Sequence, residues 1–240
     1  ALFAKVGQGA VVKNLGLVDG EIIGRKHVAG LTAKNSGTIK NCFSSINVTA
    51  IENTVASIAA QNFGTISNCY SLGEVRGNGI VASLVGVNFG QISSCYAAGK
   101  VHGTEETGGL VAKNFATVLN SYWDIQATGQ VESAGGIAKN SEELKSPYDY
   151  SLTYQSWDFE SIWMEDSEQY NNSYPCLRTC PPLGTKVFTL VFNTDGGNSI
   201  ESIRCVAGSR VAMPPIPKKR GRYFLNWEPE IPELMPAKDL

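Results

Sequence analysis

The 240-residue chain is 42% hydrophobic and only 18% charged, holds 25 glycines and carries a formal net charge of -2. That balance excludes a broad basic surface for gripping nucleic acid. No apolar run is long enough to cross a bilayer as a helix. The length suits one solenoid- or barrel-sized domain, or two unequal modules.

The chain opens on Ala1-Leu2-Phe3, with neither Met nor a charged-then-apolar leader, and reads as a piece of a larger exported protein. A degenerate repeat ends in Val12-Lys13-Asn14-Leu15, 27 residues before Ile39-Lys40-Asn41-Cys42. Four fuller copies follow: Gly30 to Phe43, Ser57 to Tyr70 (SIAAQNFGTISNCY), Ser83 to Tyr96 (SLVGVNFGQISSCY) and Gly109 to Tyr122. A shortened copy reads Gly135-Gly136-Ile137-Ala138-Lys139-Asn140. Asn35, Asn62, Asn88 and Asn114 are 27, 26 and 26 residues apart. Each copy carries β-type runs broken by Gly and Asn rather than apolar residues at helical spacing. Val48, Val75 and Val101 mark a third run in each. Three strands and three turns per copy predict an all-β fold, a parallel β-solenoid (β-helix) with one coil per copy. About five to six coils stacked about 4.8 Å apart give a rod of roughly 24–29 Å.

In such a rod, equivalent residues lie above one another. Leu31, Ile58, Leu84 and Leu110 fill the interior with Ile39, Ile66, Ile92 and Val118. Phe43, Tyr70, Tyr96 and Tyr122 form an offset aromatic stack. Asn35, Asn62, Asn88 and Asn114 form an amide ladder, since each amide both donates and accepts. Gly37, Gly64 and Gly90, two residues on, are expected at positive φ. Ala116 breaks that column and predicts a different last turn. Cys42, Cys69 and Cys95 read as a packed column rather than a metal or redox site, because Leu15 and Ser121 flank them in register. No disulfide is expected between coils, whose spacing exceeds what the bond prefers.

From Ser83 to Gly103 the pattern resembles the GLUG-motif repeats of bacterial surface proteins, carried by Leu84, Val85, Gly86, Asn88, Gly90, Ile92, Cys95, Tyr96, Gly99, Val101 and Gly103. The resemblance covers about residues 28–140. It implies adhesin-like proteins, or the non-catalytic region of IgA-specific metallopeptidases.

Residues 141–182 read as a cap. A short amphipathic helical turn, Ser141 to Ser146, precedes Trp157, Phe159, Trp163 and Tyr174, bulky residues able to cover an open solenoid end. GLUG proteins often end their arrays with such a run. Asp158, Glu160, Glu165, Asp166 and Glu168 lack the spacing of a calcium loop and read as a solvated face. Cys176 and Cys180 are near enough in sequence to bridge, which leaves a disulfide and free thiols both open.

Pro181-Pro182-Leu183-Gly184 is a linker. Residues 183–240 hold strand-like runs Val187 to Asn193 and Ile200 to Val206 around the turn signal Asp195-Gly196-Gly197. With Phe192, Gly208, Pro214, Pro217, Gly221, Phe224 and Trp227, they resemble the Listeria–Bacteroides (internalin B-type) repeat. That resemblance implies a small β-grasp-like module, here lacking its closing strand.

No catalytic motif is found. The two histidines, His27 and His102, read as surface turn residues, and Glu106 and Glu132 are the acids of the repeat region that stand one period apart. No catalytic residue, metal ligand or cofactor is expected. Two functions remain: a non-catalytic bacterial surface or secreted segment for adhesion or as a stalk, and the accessory solenoid of a secreted peptidase or glycan-degrading enzyme whose catalytic domain lies elsewhere. The expected partners are a host glycan or protein and further domains of the same polypeptide, with no nucleic acid and no membrane span. The expected location is extracellular, at the cell surface.

Overall fold

The computed structural model describes residues 1–145, 150–166 and 169–239. Residues 1–140 form a parallel β-solenoid of about five coils. One sheet stacks Phe3–Val6, Thr32–Asn35, Ala59–Asn62, Val85–Asn88 and Val111–Asn114; we call it the amide sheet. A second stacks Val11–Leu17, Thr38–Ser44 and Thr65–Ser71, then the split strands Gln91–Ser93 with Tyr96–Ala97 and Thr117–Leu119 with Tyr122–Asp124. Ile137–Lys139 closes this aromatic sheet. Pairing follows the sequence columns, with Ile66 opposite Ile39, Cys69 opposite Cys42 and Tyr70 opposite Phe43.

Each of the first four coils runs through four sheets, not the expected three. Beside the valine strands (Glu21–Gly24, Asn47–Ala50, Val75–Arg76, Val101–His102) runs a fourth sheet of Val28–Ala29, Thr54–Ala56, Ile80–Ala82 and Glu106–Gly108. Only two residues separate each of its four strands from the next amide-sheet strand. The two therefore read as one run in the sequence. The corner residues Leu31, Ile58, Leu84 and Leu110 turn fully inward. They join Ile39, Ile66, Ile92 and the three solenoid cysteines in the main core. The valines form a second core.

Side chains alternate across a strand. Cys42 therefore faces the main core while Phe43, one residue on, belongs to a different cluster. Phe43, Tyr70 and Tyr96 stack with ring centroids 4.8 and 4.9 Å apart and planes within 5°. Tyr122, next in the column, meets Tyr154 edge-on at 5.6 Å.

The described residues of the 141–182 segment cover this aromatic column. They do not cap the end of the rod, as the sequence suggested; they form a strap along the side. Asn140 and Glu143 open it as a reciprocal cap for helix Ser141–Lys145, each side chain accepting the other's backbone N–H. The Trp157 indole donates to Asn120 O on the last coil, and Asn171 donates to the Tyr96 hydroxyl midway. Thr179 reaches Asn14 on the first coil. Trp163–Met164 and Cys176–Leu177 pair as a short hairpin. Trp157, Trp163 and Tyr174 are buried against the column, and Phe159 is partly so. The end itself is plugged by Trp123, which stands in register with Ala97 and turns into the main core. The chain beyond crosses over it, with Gly109 N–H donating to Glu132 O and Ala134 N–H to Val111 O.

Burial holds the phenols of Tyr70, Tyr96 and Tyr154 well above the ordinary value of 10. The folded state thus keeps protons that the unfolded chain releases. Stability is intact below about pH 10 and falls as the pH rises beyond it. In an alkaline absorbance titration these three phenols are expected to ionise together with unfolding. Ionisation while circular dichroism stays native would contradict this packing.

Beyond Pro182, Val187–Leu190 and Ile203–Val206 pair antiparallel, with Phe188, Leu190, Cys205, Val211 and Met235 as a small core. An Arg210–Glu160 ion pair of 3.0 Å ties this module to the strap.

Candidate functional site

The side-chain amides of Asn35, Asn62, Asn88 and Asn114 form one hydrogen-bonded ladder. Asn35 Nδ2 donates to Asn62 Oδ1, Asn62 to Asn88 and Asn88 to Asn114, each at 2.8 Å. Each Oδ1 also accepts the backbone N–H two residues on, at 3.1–3.3 Å. Ala116 keeps that same turn, against expectation. The glycines before it are not at positive φ. They are required by close approach: a Cβ on Gly64 would overlap the Gly37 carbonyl, and one on Gly90 the Gly64 carbonyl. Ala116 lies in the last coil, next to the edge strand of the amide sheet.

Positive φ occurs instead at Asn14, Asn41, Asn68, Ser94 and Asn120, between 45° and 55°. Asn tolerates this conformation better than other L-residues. The signal was the Asn before Cys42 and Cys69, repeated before Leu15 and Ser121 and replaced by Ser94 before Cys95. Asn68 donates to Asn41 and Asn41 to Asn14, at 3.2 and 3.3 Å, as a second amide ladder.

Cys42, Cys69 and Cys95 donate to the carbonyls of Lys40, Ser67 and Ser93 at 3.1–3.2 Å. Ser121 repeats the contact to Leu119 O at 2.8 Å. The Cys42 thiol is pushed up by its Cys69 neighbour and by burial, and Cys69 chiefly by burial. Neutral thiols with serine as a working substitute are packing groups. Cys176 and Cys180 are both free. Cys176 is buried in the strap hairpin opposite Met164, and Arg178 after it is tied to Phe159 O and Trp163 O. This anchoring directs Cys180 separately to the edge of the aromatic cluster.

The acids do not converge. Asp158 and Asp166 accept backbone N–H groups, Glu160 pairs with Arg210, and Glu168 lies outside the described residues. Glu106 pairs with Lys113 at 2.7 Å. His102 lies in a strand rather than a turn, 2.6 Å from Glu74. Among the described residues no three His, Cys, Asp or Glu side chains are arranged to hold a metal ion.

The tyrosine column and Asn35, Asn62 and Asn88 are buried and are not presented to solvent. A column the sequence reading passed over is exposed. Phe63, Phe89 and Phe115 each follow a ladder asparagine and are 43%, 45% and 67% exposed. Their rings stack at 4.8 and 5.0 Å. The Lys34 ammonium sits 4.4 Å from the Phe63 ring centre. The upper two rings wall an open groove of about 800 Å³. Its floor is the outward column Gln61, Val87, Lys113 of the amide sheet. Its far wall is the turns at 51–53, 78–79 and 105–106. Glu52 in that wall is paired with Arg25 and Lys26 at 3.1 and 3.3 Å.

No family model and no curated protein matches the chain. Among solved structures it is similar to a Bacteroides ovatus protein described as "a putative immunoglobulin A1 protease". The two are 18% identical, with a TM-score of 0.44, over 70% of this chain and 75% of that one.

Proposed function

We propose that this chain is a non-catalytic, rod-like segment of a bacterial surface or secreted protein that presents a binding face to an extracellular partner. The GLUG-like repeats and the Listeria–Bacteroides-like module point to the same setting. The exposed Phe63–Phe89–Phe115 ladder beside an open groove carries this reading. Elsewhere the rod buries its aromatic column under a strap of about forty residues, whereas these rings stay in solvent. A contiguous strip of stacked, exposed rings beside a groove is the kind of apolar surface that serves as a contact site. The two amide ladders and the register of the coils make the rod stiff, which fixes the strip in one geometry.

The test is direct. The immobilised protein is screened against host glycans and extracellular-matrix proteins. Saturable binding to at least one partner is expected. No binding across both panels would contradict a binding role.

A further inference from the structure

Resting on that binding role, we infer that the groove beside the phenylalanine ladder takes a neutral, linear oligosaccharide laid along the rod axis. Three observations carry this. The first is pitch. The rings recur at 4.8 and 5.0 Å, close to the length of one pyranose unit in an extended chain. Consecutive sugar residues would therefore meet consecutive coils in the same way.

The second is amphipathy. A pyranose has apolar C–H faces and a hydroxyl rim. The groove sets the partly exposed, offset faces of Phe89 and Phe115 on one side. The Gln61 amide lies on the floor, and the Asn53 and Asn78 turns stand opposite. Aromatic surface for the C–H face, with amides and backbone groups for the hydroxyls, is the combination that orients such a ring.

The third is what the groove lacks. Its carboxylates are Glu52, Glu105 and Glu106; Glu52 pairs with Arg25 and Lys26 and Glu106 with Lys113, so three acids stand against three cations and no excess charge of either sign selects an ionic ligand. The floor strands Ala59–Asn62 and Val85–Asn88 are hydrogen-bonded to coils on both sides. Along these two strands an extended peptide therefore finds no free edge to add to.

The experiment uses the full chain with short neutral cello-, xylo-, manno- and N-acetylchito-oligosaccharides, followed by calorimetric titration. Binding of at least one series is expected, tightening with chain length until the groove is filled. Phe89→Ala is expected to weaken it about tenfold with the fold retained, the melting temperature falling only by what the lost ring stacking contributes. Phe115→Ala, the more exposed ring, is expected to act in the same direction. If an oligosaccharide binds but both variants bind equally well, the site assignment is overturned and the binding role stands. Binding of matrix proteins without any neutral sugar overturns the ligand class. A dimer in sedimentation that Phe89→Ala dissolves makes the ladder a self-association face and overturns the inference. If nothing binds at all, the binding role fails with it.

Discussion

Asn62→Ala is expected to lower the unfolding free energy by about 3 kcal/mol. Asn62 is fully buried in the middle of the amide ladder. Its Oδ1 accepts from Asn35 and from the Gly64 N–H, and its Nδ2 donates to Asn88. Alanine leaves the Gly64 N–H without its partner in a turn that is itself packed against the Gly37 carbonyl. The neighbours soften the loss, since Asn35 keeps a contact to Thr65 O and Asn88 keeps the Gly90 N–H. All the ladder donors point towards the C-terminal coil, so the dipoles reinforce one another. Asn62→Asp is expected to be worse near neutral pH. It keeps the acceptor, places an oxygen against Asn88 Oδ1 and buries an uncompensated charge. Asn114→Ala, at the half-buried end of the ladder, should cost about 1 kcal/mol. Urea unfolding midpoints of the three variants check the ranking. An Asn62→Ala cost no larger than that of Asn114→Ala would contradict a continuous ladder.

Trp163→Ala is expected to cost about 4 kcal/mol. The indole is fully buried, stacks on Trp157 at 4.2 Å and lies against Tyr70 and Tyr96 at 6.2 and 6.0 Å. Its ring nitrogen has no hydrogen-bond partner among the described residues, so the loss is one of packing. The location of the damage separates a side strap from an end cap. A strap that lets go exposes Phe43, Tyr70 and Tyr96 on successive coils and changes near-ultraviolet circular dichroism strongly. Loosening confined to the last coil around Trp123 would mean that Trp163 acts on the end of the rod.

Much of this architecture was legible because a solenoid turns sequence period into spatial column. Four asparagines at 26- and 27-residue steps became one hydrogen-bonded line, and the cysteines became one packed column. What the period conceals is direction. Phe63, Phe89 and Phe115 repeat as regularly as Tyr70 and Tyr96, yet the first set is solvent-exposed and the second buried. The phenylalanines sit in corners, where the in-and-out alternation of a strand does not apply. Gly37, Gly64 and Gly90 suggested positive φ because glycine serves two needs, conformational freedom and close approach. Here the second operates, and asparagine takes the left-handed positions. The strap was misplaced because bulky aromatics report that something is covered, but not which surface. Trp123 carried a usable signal, a tryptophan where earlier copies have Ser44, Ser71 and Ala97. An oversized residue on an inward position of the last full coil is what a plug requires.

The central claim is that residues 1–140 form a rod of stacked coils locked by ladders and strapped along one side. Native-state hydrogen exchange tests it most directly, because each central coil is hydrogen-bonded to a coil on either side. The slowest amides are expected between Ser57 and Tyr122, slower than any in residues 183–239, where a single two-stranded pairing is the main hydrogen-bonded structure. Exchange in Ser57 to Tyr122 as fast as in residues 183–239, or faster, would contradict the stacked rod.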